Sequence, residues 1–467
     1  MTDLKRFISR CAEIVGTSNV LLEPEDRLAY GYDASRLGAM PLCVITPGFT
    51  EEVSKILAEA NRERIPVYAR GAGSGMVGGV VPTQPGIVLS TERMNRIIEI
   101  DEDNFTAFVE PGVITGSLQK AVKRLGLFYP PDPSSLAFST IGGNVATGAG
   151  GPRAVKYGVT KDYVLGLEVV LASGEVISTG KAIIKRSVGY DLTRLMVGSE
   201  GTLGIFTKIL LRLIPAPTAS YLLFVPFRGA EQAAKAVVTI LKHRILPSAI
   251  EFMDEDVVSL VAPHSPVLIP PETKSLLLIE LDDPEGLLEK NTNAVRQICI
   301  DHGALMVMIA SDDAEIDALW VVRRAISPSL AKIRPAKINE DVVVPRSRLP
   351  ELVNTVKELS KRFGIPIVSF GHAGDGNLHV NILYDPKNEA EQESARKATE
   401  TLFRSVLNLG GSISGEHGIG IAKSPFIRWD IGESTLETMW RIKYALDPNN
   451  ILNPGKIFVP NRAFLER

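Results

Sequence analysis

The stretch Arg70-Gly71-Ala72-Gly73-Ser74-Gly75-Met76-Val77-Gly78-Gly79 limits what this chain can fold into more than any other. It leaves a predicted strand over 66–70, and Gly73, Gly75 and Gly78 match the fingerprint GxGxxG. Glu92 lies at the spacing of a ribose-binding acid. The doubly wound fold that this fingerprint announces needs a helix to begin at the loop, with its N-terminus facing a pyrophosphate. Here the chain continues as Gly78-Gly79-Val80-Val81-Pro82-Thr83-Gln84-Pro85-Gly86. Two prolines among glycines cannot sustain a helix. A nicotinamide-type dinucleotide fold is therefore excluded. What remains is a glycine-rich loop whose backbone N–H groups can form an anion-binding concavity.

Two more small-residue stretches follow. One is Pro130-Pro131-Asp132-Pro133-Ser134-Ser135 with Thr140–Gly151, and the other is Gly198–Ile205. Each is expected as a loop. Three such loops in one half of the chain suggest close backbone approach to one extended ligand, for which a dinucleotide is the natural size.

Around these loops the pattern is α+β. An N-terminal helix is expected from Leu4, Phe7, Ile8, Cys11, Ile14 and Val15 at helical spacing, with charges that rule out a signal peptide. A helix over 50–65, capped by Thr50, and another over 117–126, stopped at Gly126, alternate with short strands. Beyond Ile214-Pro215-Ala216-Pro217 the order becomes strand, helix, strand, strand, helix, strand. That is the ferredoxin-like order of an antiparallel sheet. The expected divisions are 1–215, 216–420 and a largely helical 421–467.

With 467 residues, 45% hydrophobic and 22% charged, the chain is long enough for two or three buried cores. A net charge of −3 gives no nucleic-acid footprint. Cys11, Cys43 and Cys299 are too scattered for an iron–sulfur centre or a disulfide framework, so a reducing, cytoplasmic setting fits. No apolar run approaches a membrane span; peripheral attachment to a membrane through a partner is still allowed.

Three of the six histidines fall in two glycine-rich segments, FGHAGDGNLHVN and SGEHGIG. The first reads as a hairpin with its turn at 374–377, which brings His372 and His379 side by side. Asn381 lies two residues after His379, on the same strand face. Glu416 and His417 are neighbours, and adjacent side chains are expected to diverge. The economical division makes Glu416 a third ligand and His417 a base. Two histidines and one carboxylate suit Zn²⁺, Fe²⁺ or Mn²⁺ with open coordination positions.

RGAGSG, PPDPSS, TIGGNVATGAGG, KYG, GYDLTRLMVGSEGTLGI, GHAGDGNLH, SGEHGIG and LNPGKI occur in this order over nearly the whole chain. Together they resemble the vanillyl-alcohol-oxidase-type flavoproteins, and within them the FAD-linked D-2-hydroxyacid dehydrogenases, which include glycolate oxidase D subunits and D-lactate dehydrogenases. The resemblance implies a two-part FAD domain of the PCMH/VAO type, an antiparallel cap domain and a C-terminal segment returning to the flavin. It implies that Arg70, Gly71, Ala72, Gly73, Ser74, Gly75 and Gly79 cradle the pyrophosphate. Pro131, Asp132, Thr140, Gly142, Gly143, Asn144 and Gly148 would line the cofactor. Glu200, Gly204 and Ile205 would contact its adenosine side or isoalloxazine edge, and Asn453 would close over the flavin. The same resemblance gives His372, His379 and Glu416 as metal ligands, and His417 as base. It also makes Arg323, in the motif WxxR, the cation for the substrate carboxylate. Ser327, one turn on, is a further substrate contact. Asn339 stands where the family often carries lysine, which leaves Lys337 as the nearby cation. No histidine precedes His243 and no cysteine lies in a flavin loop, so noncovalent FAD is expected.

The expected reaction is oxidation of a small D-2-hydroxy acid, D-lactate or glycolate, to the 2-oxo acid. A chelating metal acidifies the hydroxyl, and hydride passes to flavin N5. Electrons then leave to an external acceptor, such as an iron–sulfur subunit or an electron-transferring flavoprotein. The alternatives are a metal-independent alcohol or sugar oxidase of the same fold, a noncatalytic FAD-binding subunit, and a zinc hydrolase. Oligomeric state stays open, a homo-oligomer included.

Overall fold

The computed structural model describes residues 2–458. The chain forms two compact units, neither continuous in sequence. The first takes residues 2–149, 159–216 and 416–458; the second takes 150–158 and 217–415. Among the described residues no helix is long and apolar enough to cross a membrane.

The first unit carries two sheets. In one, strand Ile87–Ser90 runs parallel to both Val44–Ile45 and Val67–Arg70, while Val20–Leu21 adds an antiparallel edge. Helix Thr2–Val15 buries Phe7, Cys11 and Val15 against it, the stripe its spacing predicts. The other sheet is antiparallel, in the order Ile97–Asp101, Thr106–Val109, Ile205–Arg212, Val164–Val170, Val176–Ser178. Between Arg70 and Ile87 there is no helix; Gly73 and Gly78 adopt φ of 68° and 74°, as a tight loop requires.

Two local expectations need correction. Helix Thr50–Glu63 is not capped by Thr50: that hydroxyl donates to Glu168 at 2.6 Å, and Glu52 instead accepts from the Gly48 N–H at 2.6 Å. The second glycine-rich stretch is not all loop either. Residues Ile141–Thr147 form a short helix, capped by Thr140 accepting from the Gly143 N–H and ended by Gly148 at φ 70°. The cap and the left-handed stop outweigh the poor helix propensity of its glycines.

The second unit is built on one antiparallel sheet. Its strands are β1 (Tyr221–Phe227), β2 (Ala249–Asp254), β3 (Ser275–Leu281), β4 (Met308–Ala310), β5 (Ala336–Val343), β6 (Ile367–His372) and β7 (Asn377–Tyr384). Their order is β4-β1-β3-β2-β6-β7-β5. Strands β1 to β4, with helices Ala230–Lys242 and Glu285–Asp301, reproduce the ferredoxin-like order. The sequence β5, helix Leu349–Phe363, β6, β7, helix Glu389–Asn408 repeats the pattern and extends the sheet. Where the repeat would add its fourth strand, only the bridge Val343↔Ser412 forms at the outer edge of β5. The chain then turns at Ser414 and Gly415. The Gly415 N–H reaches the Asp341 carbonyl at 3.1 Å and its carboxylate at 3.0 Å.

Candidate metal and flavin site

The β6–β7 hairpin forms, with its turn at 373–376, one residue earlier than expected, because Asn377 already pairs with Val343 as the first residue of β7. Phe370 pairs with His379, and His372 lies opposite Glu251 on β2. Directly paired residues share a sheet face, and so do residues two apart. Glu251, His372, Phe370, His379 and Asn381 therefore project from one side. His372 and His379 are both buried, and their Nε2 atoms face each other at 3.3 Å. Glu416 follows Gly415 directly, and Gly415 is pinned to β5 through Asp341. One ligand atom from each of His372, His379 and Glu416 lies within 4.8 Å of the others. His417 does not diverge from its neighbour as expected: its Nε2 is 3.8 Å from the Glu416 carboxylate. The turn that joins the two residues overrides the alternation that extended backbone would impose.

Glu251 escaped sequence reasoning. It is fully buried, and its carboxylate joins two of the predicted site residues. One oxygen meets His372 Nδ1 at 2.5 Å, and the other takes the Arg323 Nε–H. Burial alone would raise its pKa, but the charges of His372 and Arg323 bring it down to about 2. A carboxylate on Nδ1 fixes the imidazole so that Nε2 faces inward, the usual support of a metal-bound histidine. The donor set fits a divalent ion: two Nε2 atoms in register, an oriented ring and one carboxylate.

Arg323 is nine-tenths buried at the end of helix Asp313–Arg324, with its guanidinium 4.8 Å over the Phe370 ring. Its Nη2 is buried without a hydrogen-bond partner. Asn381 donates to the His379 carbonyl at 3.3 Å and keeps an unpartnered, buried Oδ1. Ser327 accepts from Lys337 at 3.2 Å, and Asn339 is paired in register with Asn381. Residues 150–158 belong to the same unit and are tied to it by polar and packing contacts. Arg153 approaches Glu280 at 3.7 Å, and Trp320 donates to the same carboxylate at 2.9 Å. Lys156 pairs with Asp282 at 2.6 Å, and a Cβ on Gly374 would meet Val155 at 2.7 Å.

In the first unit the three glycine-rich segments come together. A Cβ on Gly71 would fall 2.3 Å from the Thr140 hydroxyl, and one on Gly142 would fall 2.5 Å from Pro111. The Gly198 and Glu200 N–H groups donate to the Val145 and Ala146 carbonyls at 2.9 and 2.8 Å. Asn453 donates to the Gly79 and Glu200 carbonyls at 2.9 and 2.5 Å. The residues expected to hold one dinucleotide thus line adjoining backbone segments. Some side chains in the set are committed elsewhere. The Arg70 guanidinium donates to the Tyr32 carbonyl at 2.7 Å, Ile205 is in the hydrophobic core, and Gly204 makes room for Val169.

Residues 41–180 match the family described as FAD binding domain, and 216–457 match that described as FAD linked oxidases, C-terminal domain. The chain belongs to the FAD-linked oxidase family. It is 42% identical over 447 residues to glycolate oxidase subunit GlcD of Bacillus subtilis, covering 96% of this chain and 95% of that one. It is 37% identical to D-lactate dehydrogenase of Anaerostipes hadrus, with 90% of each covered. Among solved structures, p-cresol methylhydroxylase superposes with a TM-score of 0.83 over 98% of this chain and 97% of that one, at 20% identity. That likeness establishes the PCMH/VAO-type fold.

Proposed function

We propose that this chain is a divalent-metal-dependent FAD dehydrogenase that oxidises glycolate or D-lactate to the 2-oxo acid. The observation that carries this reading is the buried His372–His379 pair, oriented by a Glu251 that also holds Arg323. On this reading residues 1–215 bind FAD without a covalent tether, 216–420 hold the substrate, and 421–467 return to the flavin.

When bound, FAD supplies a hydride acceptor and the metal ion a Lewis acid that acidifies a 2-hydroxyl. The chain does the rest. His372, His379 and Glu416 hold the ion. Arg323, tied by Nε to Glu251, offers Nη2 to the substrate carboxylate in a site where a fixed cation needs no reorganisation. Asn381 presents Oδ1 to the hydroxyl side, and Ser327 with Lys337 extends the polar wall. His417 accepts the hydroxyl proton, a task suited to imidazole near neutral pH. With three scattered cysteines the chain has no iron–sulfur motif, so electrons leave to a separate acceptor protein. Both relatives named above carry names for one of the two substrates.

The test is metal analysis of His372→Ala. The variant is expected to retain FAD and lose the ion. Full metal content in that variant rejects the ligand set.

A further inference from the structure

Glu200 heads the third glycine-rich segment, where a contact with the cofactor is expected, yet its carboxylate turns to a different partner. It accepts from the Ile419 N–H at 2.7 Å and from the Gly420 N–H at 2.8 Å. A Cβ on Gly418 would stand only 2.8 Å from the same carboxylate. Glu200 itself is buried and held at φ 50°. Its backbone carbonyl takes the Asn453 side chain, and Lys456 and Lys423 supply opposing charge. Burying a carboxylate is costly unless it is paired and hydrogen-bonded. This one is spent on two consecutive main-chain donors.

Those donors close the segment Gly415-Glu416-His417-Gly418-Ile419-Gly420. Gly418 and Gly420 adopt φ of 83° and 51°. Glycine samples such conformations freely, so these two glycines do not by themselves select one path for the chain next to His417. The chain before Glu416 and His417 is fixed by the Gly415–Asp341 bonds, and the chain after them is fixed by Glu200.

We infer that Glu200 is a positioning residue: by holding the Ile419 and Gly420 N–H groups it sets the placement of Glu416 and His417, the third metal ligand and the base. This rests on the functional reading above. It gives the glycine-rich segment that follows Gly198 a task besides flavin contact, since the same loop that lines the cofactor cleft holds the chain bearing the base.

Glu200→Gln in the purified holoenzyme tests it, with Glu200→Asp as a second variant that keeps the buried charge. Three quantities are read: bound FAD, affinity for Zn²⁺ by competition with a chromophoric chelator, and hydrogen exchange of peptides covering 416–421 and 367–384. Glu200→Gln is expected to keep FAD, weaken Zn²⁺ at least tenfold and speed exchange in 416–421, leaving 367–384 unchanged. Glu200→Asp is expected to fall between Gln and wild type. Unchanged exchange in 416–421 overturns the inference, and so does FAD loss with that exchange intact, because the carboxylate would then serve the flavin. If Glu200→Gln does not fold, faster exchange confined to 416–421 in Glu200→Asp supports the inference, and unchanged exchange refutes it. A wild-type protein that binds no Zn²⁺ defeats the functional reading, and the exchange result still decides the role of Glu200.

Discussion

Replacing Glu251 by Gln probes the centre of the second unit without changing its volume. The carboxylate stands between His372 and Arg323, and all three groups are buried. Removing one partner of a buried ion pair costs about 3–5 kcal/mol, because the other charge is left without compensation. The glutamine carbonyl still accepts one hydrogen bond, which places the expected loss near the lower figure, about 3 kcal/mol. Loss of the carboxylate that orients a ligating histidine costs about 10–100-fold in metal affinity, or about 1.4–2.8 kcal/mol. The two effects are separable. Urea unfolding of metal-free protein at fixed FAD concentration reads the first, and chelator competition reads the second. Both are expected to change. A variant that loses 3 kcal/mol of stability and binds metal within twofold of wild type would show that Glu251 serves only to neutralise Arg323, and would refute its part in orienting His372.

Other expectations are simpler. His417→Ala should retain flavin and metal but lose flavin bleaching by D-lactate; bleaching at the wild-type rate would remove His417 from proton transfer. Acid precipitation should leave the yellow colour in the supernatant, since no histidine or cysteine lies in the flavin segments; a yellow pellet would show a covalent tether. Lys456 is buried with its amine 2.5 Å from the Val81 carbonyl, and desolvation, partly offset by Glu200 and Asp33, lowers its pKa to about 8. The unfolded chain then binds more protons than the folded one between about pH 8 and 10.5, so stability rises with pH in that window. Wild type should gain roughly 3 kcal/mol on Lys456→Met between those limits. A flat difference by urea unfolding would contradict the shift.

Features encoded by local chemistry were legible in the sequence. Pro82 and Pro85 announced that no helix follows Gly78, and none does. The spacing of Phe7, Cys11 and Val15 gave the first helix, and the turn expected at 374–377, found one residue earlier at 373–376, gave the hairpin that sets His372 beside His379. Glu251 was not legible. It lies in SAIEFMD, an apolar strand, 121 residues before His372 and 72 before Arg323; the register of β2 on β6 brings it to His372, and the end of helix Asp313–Arg324 brings Arg323 to it. The strand β5 was hidden for a related reason: Lys337, Asn339 and Asp341 are polar residues on the face it turns toward the site, which masks the alternation that marks a strand. Nothing in Gly150–Gly158 signals that it leaves the first unit, because its anchors Glu280, Asp282 and Asp283 are more than a hundred residues away. Thr140 and Gly148 are standard helix-boundary residues, but the small residues between them read more readily as loop than as about two turns of helix.

The most direct test of the account is anaerobic flavin reduction by D-lactate and by glycolate, followed before and after the metal is stripped with a chelator. The account requires bleaching by at least one of the two acids, its loss on stripping, and its return when Zn²⁺, Fe²⁺ or Mn²⁺ is restored. Bleaching at an unchanged rate in fully stripped protein would contradict it.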